Sequence, residues 1–110
     1  MIRYGQDTAE ELRFTAFYPR IERRNEHWVD IELRFELSPQ TPAPADAVDL
    51  TALVICTPDG EIFQIVPQEE GCDSEFQFTA AEKEQIAAFI ARPDIQAAIA
   101  EQVAAAQRER

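Results

Sequence analysis

From Val29 to Leu37 apolar and polar residues alternate without a break: Val29, Ile31, Leu33, Phe35 and Leu37 are separated by Asp30, Glu32, Arg34 and Glu36. A period of two sends successive side chains to opposite faces of an extended chain, so this segment predicts a strand with one buried and one solvated face. Trp28 extends the polar set at its start. An aromatic ring among charges is a typical interface anchor, which makes Trp28 a candidate for partner contact; packing under a neighbouring loop or helix is the other reading. Upstream, Leu12, Phe14, Ala16 and Tyr18 alternate with Arg13, Thr15 and Phe17, and Pro19 is expected to end that run. The two runs predict an antiparallel hairpin whose connecting loop carries Arg20, Arg23 and Arg24. Three prolines, Pro39, Pro42 and Pro44, then mark residues 38–47 as an exposed, extended crossover.

The run from Leu50 to Cys56 is almost continuously apolar, as expected of a central strand covered on both faces. Thr57-Pro58-Asp59-Gly60 reads as a tight turn returning into a strand over Glu61 to Val66. Pro67 to Ser74 reads as an acidic loop, and Phe76 and Phe78 around Gln77 as a short fifth strand. Thr79 followed by Glu82 fits a capping box, with Ile86, Phe89 and Ile90 on one helical face. Pro93 suits the first turn of a second helix through Ile95, Ala98, Ile99, Gln102, Val103 and Ala106, and the five-residue step from Ile90 to Ile95 breaks the phase between the two.

Strands followed by helices predict an α+β fold: an antiparallel sheet of four to five strands with two C-terminal helices packed on one face. The 110 residues suit a single domain, residues 1–78 mainly β and residues 79–110 helical. Val29, Ile31, Leu33, Phe35, Leu53, Ile55, Phe89 and Ile99 are expected to share its core.

Charge says most about function. Ten Lys and Arg face 21 Asp and Glu, a formal net charge of −11. A general nucleic-acid binder is excluded, because it must neutralise phosphates, and docking on anionic lipid is disfavoured for the same reason. No stretch approaches the roughly 18 apolar residues of a membrane span, and the first residues lack the apolar run of a signal peptide, so a cytoplasmic protein is expected. Most of the imbalance lies between Arg34 and Lys83, where no base occurs. Asp46, Asp59, Glu61, Glu69, Glu70, Asp73 and Glu75 fall in this stretch and, with Trp28, form the expected partner-binding set. The expected partner is the basic surface of another protein, approached through a long-range field. Where that surface normally grips nucleic acid, the carboxylates would stand in for phosphates, as in a small inhibitor or immunity protein. Solubility alone is the plainer account of the charge. Nine Arg to one Lys, with many Ala, is a codon signature of a GC-rich bacterial or phage genome.

Residues suited to catalysis are few. His27 is the one histidine, placed at a hairpin end, so histidine-rich metal sites are excluded. Cys56 and Cys72 have neither zinc-knuckle nor redox spacing; Cys56 reads as a core residue, with a disulfide to Cys72 the less favoured reading. The carboxylates of residues 68–75 lack the order of an EF-hand loop. Asp30 and Glu32 share a strand face with Arg34 and read as a solvated set, Ser38 and Ser74 have no adjacent histidine, and Gly5, Gly60 and Gly71 form no phosphate loop. No catalytic residue, cofactor or metal is therefore expected. The alternative to an acidic binding protein is a self-associating structural or assembly protein, for example of a phage, joined through sheet edges or as a homodimer through its Ala-rich last helix. A small-molecule module between sheet and helices is a third reading.

Overall fold

The alternation at residues 29–37 places Val29, Ile31 and Leu33 at zero exposure, with Asp30, Glu32 and Arg34 on the opposite face. In the computed structural model, which describes residues 1–3 and 11–108, the elements are β1 (Ile2–Arg3), β2 (Phe14–Arg23), β3 (Val29–Leu37), β4 (Leu50–Cys56), β5 (Ile62–Glu69), β6 (Cys72–Asp73), β7 (Phe76–Gln77), α1 (Ala80–Ile90) and α2 (Pro93–Arg108). The main sheet is a five-stranded antiparallel meander in the order β2-β3-β4-β5-β6, and β1 pairs with β7 in a separate two-stranded sheet. This is the expected α+β architecture, with β4 at the centre.

One face of the sheet carries the core. Val29 lies opposite Cys56, Ile31 opposite Val54 and Leu33 opposite Ala52, all fully buried together with Ile86 and Ile90 of α1 and Ile99 of α2. Phe14 and Phe17 of β2, Phe35 of β3 and Phe89 of α1 pack around this cluster, their rings 4.7 to 5.1 Å apart from one to the next. Both halves of the capping box form: Thr79 accepts from the Glu82 amide and Glu82 accepts from the Thr79 amide. Gln96 of α2 joins the helices to the sheet by donating to the carbonyls of Gly60 (3.1 Å) and Ile90 (2.9 Å). Gly60 serves this contact twice, since its φ is +87° and an added Cβ would stand 2.1 Å from Gln96 Oε1.

Several expectations are corrected. Pro19 does not end the second strand; β2 runs on to Arg23, because an edge strand has no outer neighbour that needs the missing N–H. Arg20 and Arg23 consequently lie in the strand, and only Arg24 is in the connection. A register shift between Phe14 and Ala16 reverses the phase, so that Phe17, Pro19 and Ile21 face the core side while Tyr18 is 53% exposed. The acidic segment is no open loop. β5 continues through Pro67 to Glu69, Glu70 and Gly71 form a tight turn with φ of +52° and +80°, and β6 returns. Pro67 is accommodated because β6 ends beside it, and the Ser74 amide there needs only the Pro67 carbonyl, which accepts at 3.0 Å. The fifth strand of the main sheet is therefore β6 and not the Phe76 segment. Leu53 and Ile55 are not in the core either: they face away from the helices, which cover one side of β4 only, and are half-buried.

Candidate functional site

The helices leave one face of the main sheet open, and its side chains follow from the same alternation that builds the core. From β2 and β3 come Tyr18, Arg20, Glu22, Asp30, Glu32, Arg34 and Glu36; from β4 and β5 come Leu53, Ile55 and Val66 with Gln64 and Gln68. The first half is a ladder of charge. Arg24 Nε donates to Asp30 Oδ2 at 2.8 Å, Arg20 lies 3.7 Å from Glu22 and 4.0 Å from Glu32, and Arg34 reaches Glu32 at 3.7 Å and Asp49 at 3.0 Å. Pairs this exposed add little stability, so the ladder is a property of the surface more than a support of the fold. The Tyr18 hydroxyl donates to Glu36 at 2.9 Å, and that bond, with the Glu36 charge, holds the phenol above its usual range.

The second half is apolar. Leu53 pairs directly with Val66, and Ile55 is the next outward residue along β4. A bulge opposite Cys56 inserts Phe63 into β5; its ring lies 4.8 Å from that of Trp28 and is 65% exposed. At the boundary between the halves lies a shallow depression lined by Arg20, Glu22, Asp30, Glu32, Leu53 and Gln68. Asp30 Oδ1 at its wall is buried with no hydrogen-bond partner among the described residues, which leaves an acceptor unmatched.

The expected partner-binding carboxylates divide between the two ends of the β4–β5 hairpin. Asp59 and Glu61 are exposed at its turn, the end that also holds Trp28 and the Arg24–His27 connection. The other group lies beyond Leu50, separated by the length of β4, about 20 Å at strand spacing. There the Glu70 amide donates to the Asp49 carbonyl at 3.3 Å, and the Glu70–Gly71 turn carries Glu70 and Asp73 outward. Asp46 lies in the adjoining crossover and Glu75 just past β6, both exposed. The Glu69 carboxylate accepts from the Val48 amide (2.9 Å) and the Ser74 hydroxyl (2.6 Å), holding the crossover and the strand exit together. The turn itself was not legible, since Glu-Gly lacks the Asn-Gly or Asp-Gly signal of such hairpins.

Groups with catalytic reputations are placed as follows. His27 is exposed, 3.5 Å from Glu26. Cys56 is buried in the core, where desolvation, aided by the Asp30 charge, pushes its thiol up to about 11 and keeps it protonated. Cys72 is exposed and both cysteines are free. Among the described residues no group of three or more His, Cys, Asp or Glu is placed to hold a metal ion, and no helix is long and apolar enough to cross a membrane. Compared with known proteins, the chain matches no family model, and no curated protein or solved structure matches it.

Proposed function

We propose that this chain is a non-enzymatic binding protein that docks through acidic surface on a basic patch of a partner protein. The observation that carries this reading is the corner where Asp49, Glu69, Glu70 and Asp73 meet. The main chain draws these residues together, and Arg34, the base that reaches the corner, is engaged by Asp49. Glu70 and Asp73 are exposed at this corner, and a basic partner gains encounter rate from the field of the acids. A partner whose basic patch normally binds nucleic acid would be inhibited by competition, the carboxylates occupying the places of phosphates. The proline in β2 supports this reading over assembly through that sheet edge, because Pro19 removes a backbone donor that an added strand would use.

The test is capture from a lysate of the native host with the parent chain and with a Glu70→Lys/Asp73→Lys variant, each at low and at high salt. The reading predicts a basic protein retained by the parent at low salt, released at high salt and not retained by the variant. Equal retention by both chains would contradict it.

A further inference from the structure

The helices cover one face of β4; on the other, Leu53 and Ile55 are half-buried, and the neighbouring Phe63 ring is 65% exposed. Ala52, Val54 and Cys56 meet the helices, whereas Leu53 and Ile55 of β4, Val66 of β5 and the Trp28–Phe63 pair stand outside the core cluster. A strand that is a continuous apolar run is ordinarily buried on both sides, and contiguous apolar area rimmed by polar residues marks an interaction surface. We infer that the open sheet face is the docking surface proper, and that its occupant is a segment of a partner protein presenting apolar side chains flanked by Lys or Arg. This rests on the reading that the partner is basic, and it adds where the partner sits and what it must carry besides charge.

Charge complementarity selects this occupant over a second copy. On the open face Glu22, Asp30, Glu32, Glu36 and Asp73 outweigh Arg20, Arg24 and Arg34. Two such faces brought together would repel, while a basic segment is attracted. The depression gives the register. Leu53 lies on it beside Glu22, Asp30 and Glu32, so a Lys or Arg entering there lays its aliphatic stem on Leu53 and its cationic head among the carboxylates. Neighbouring apolar side chains of the same segment then fall on Ile55, Val66 and the exposed Phe63 ring.

Trp28 is the single tryptophan of the chain, so the face carries its own fluorescent reporter. The full chain, labelled with nitrogen-15, would be titrated with a short acetylated peptide of alternating leucine and lysine and with a matched peptide of alternating serine and lysine. Trp28 emission, backbone amide shifts and sedimentation would be followed. The inference predicts that the leucine peptide changes Trp28 emission and shifts the Ile55, Val66 and Gln68 amides. It also predicts affinity about tenfold lower for the serine peptide and for a Phe63→Ser chain. Equal affinity for both peptides, with shifts confined to Glu70 and Asp73, would overturn this inference and leave the acidic docking reading standing. Binding of neither peptide would overturn both. Self-association of the free chain with Trp28 shielded would replace the basic partner with a second copy and also overturn the inference.

Discussion

The fully buried carboxylate of Glu82 accepts a hydrogen bond from the backbone amide of Leu12 at 2.8 Å, tying the first turn of α1 to the chain that enters β2. The same carboxylate accepts from the Thr79 amide at 2.8 Å and from the amino group of Met1. One turn further along α1, Gln85 donates to the Leu12 carbonyl at 2.8 Å and accepts from the Phe14 amide at 3.1 Å. Two helical side chains thus supply Leu12 and Phe14 with the partners that another strand would have given, and this fixes α1 against the sheet.

Replacing Glu82 by alanine removes an anionic partner of the Met1 amino group and leaves the buried Leu12 amide unmatched. The expected cost is about 3 to 5 kcal/mol, as for breaking other buried ion pairs. Glu82→Gln keeps an acceptor oxygen and should cost less. Chemical denaturation of the two variants beside the parent measures this; an alanine variant as stable as the parent would show that Glu82 does not hold the helix.

The two faces of the sheet predict opposite outcomes for two leucines. Leu33 is fully buried against the helices, so Leu33→Ala should cost about 2 to 5 kcal/mol. Leu53 lies on the open face, outside the core, and Leu53→Ala should cost less than about 1.5 kcal/mol. Thermal melts of both variants decide it, and equal losses would mean that the open face is covered within the chain.

Cys56 gives a dependence on pH. Its thiol lies near 11 in the fold against an ordinary 9.0, chiefly through burial. As pH rises from 9 toward 11, the unfolded chain releases a proton that the folded chain keeps. Stability therefore falls through that window, and below it this group contributes no slope. Urea midpoints of the parent and of Cys56→Ala should diverge in slope above pH 9, the alanine chain being less stable overall but flatter. Parallel slopes would contradict the burial account.

Legibility in the sequence followed the locality of the signal. Val29, Ile31 and Leu33, the Thr79–Glu82 box and the Pro93 start each depend on near neighbours, and the structure holds all three features where the periodicity places them. The face of Leu53 depends on which side of a nearly all-apolar strand the helices choose, and within Leu50–Cys56 only Thr51, on the Leu53 side, marks it. The phase of β2 turns on one inserted residue between Phe14 and Ala16. Of the surface set, the composition identified the acids but not their division between two ends of a hairpin, which is a matter of register. Phe63, Gln96 and the Leu12 contact of Glu82 act across long sequence separations and carried no local mark.

The central claim is that acidic surface on this chain steers and holds a basic protein partner. Its most direct test is the association rate of the captured partner with the parent and with Glu70→Lys/Asp73→Lys, measured by stopped-flow Trp28 fluorescence across a salt series. Both positions are exposed, so each change should leave stability within about 0.5 kcal/mol. The account predicts that the parent associates about tenfold or more faster at low salt than at high salt, and that the variant is slower with a flattened dependence. A variant that associates as fast as the parent at every salt concentration would contradict it.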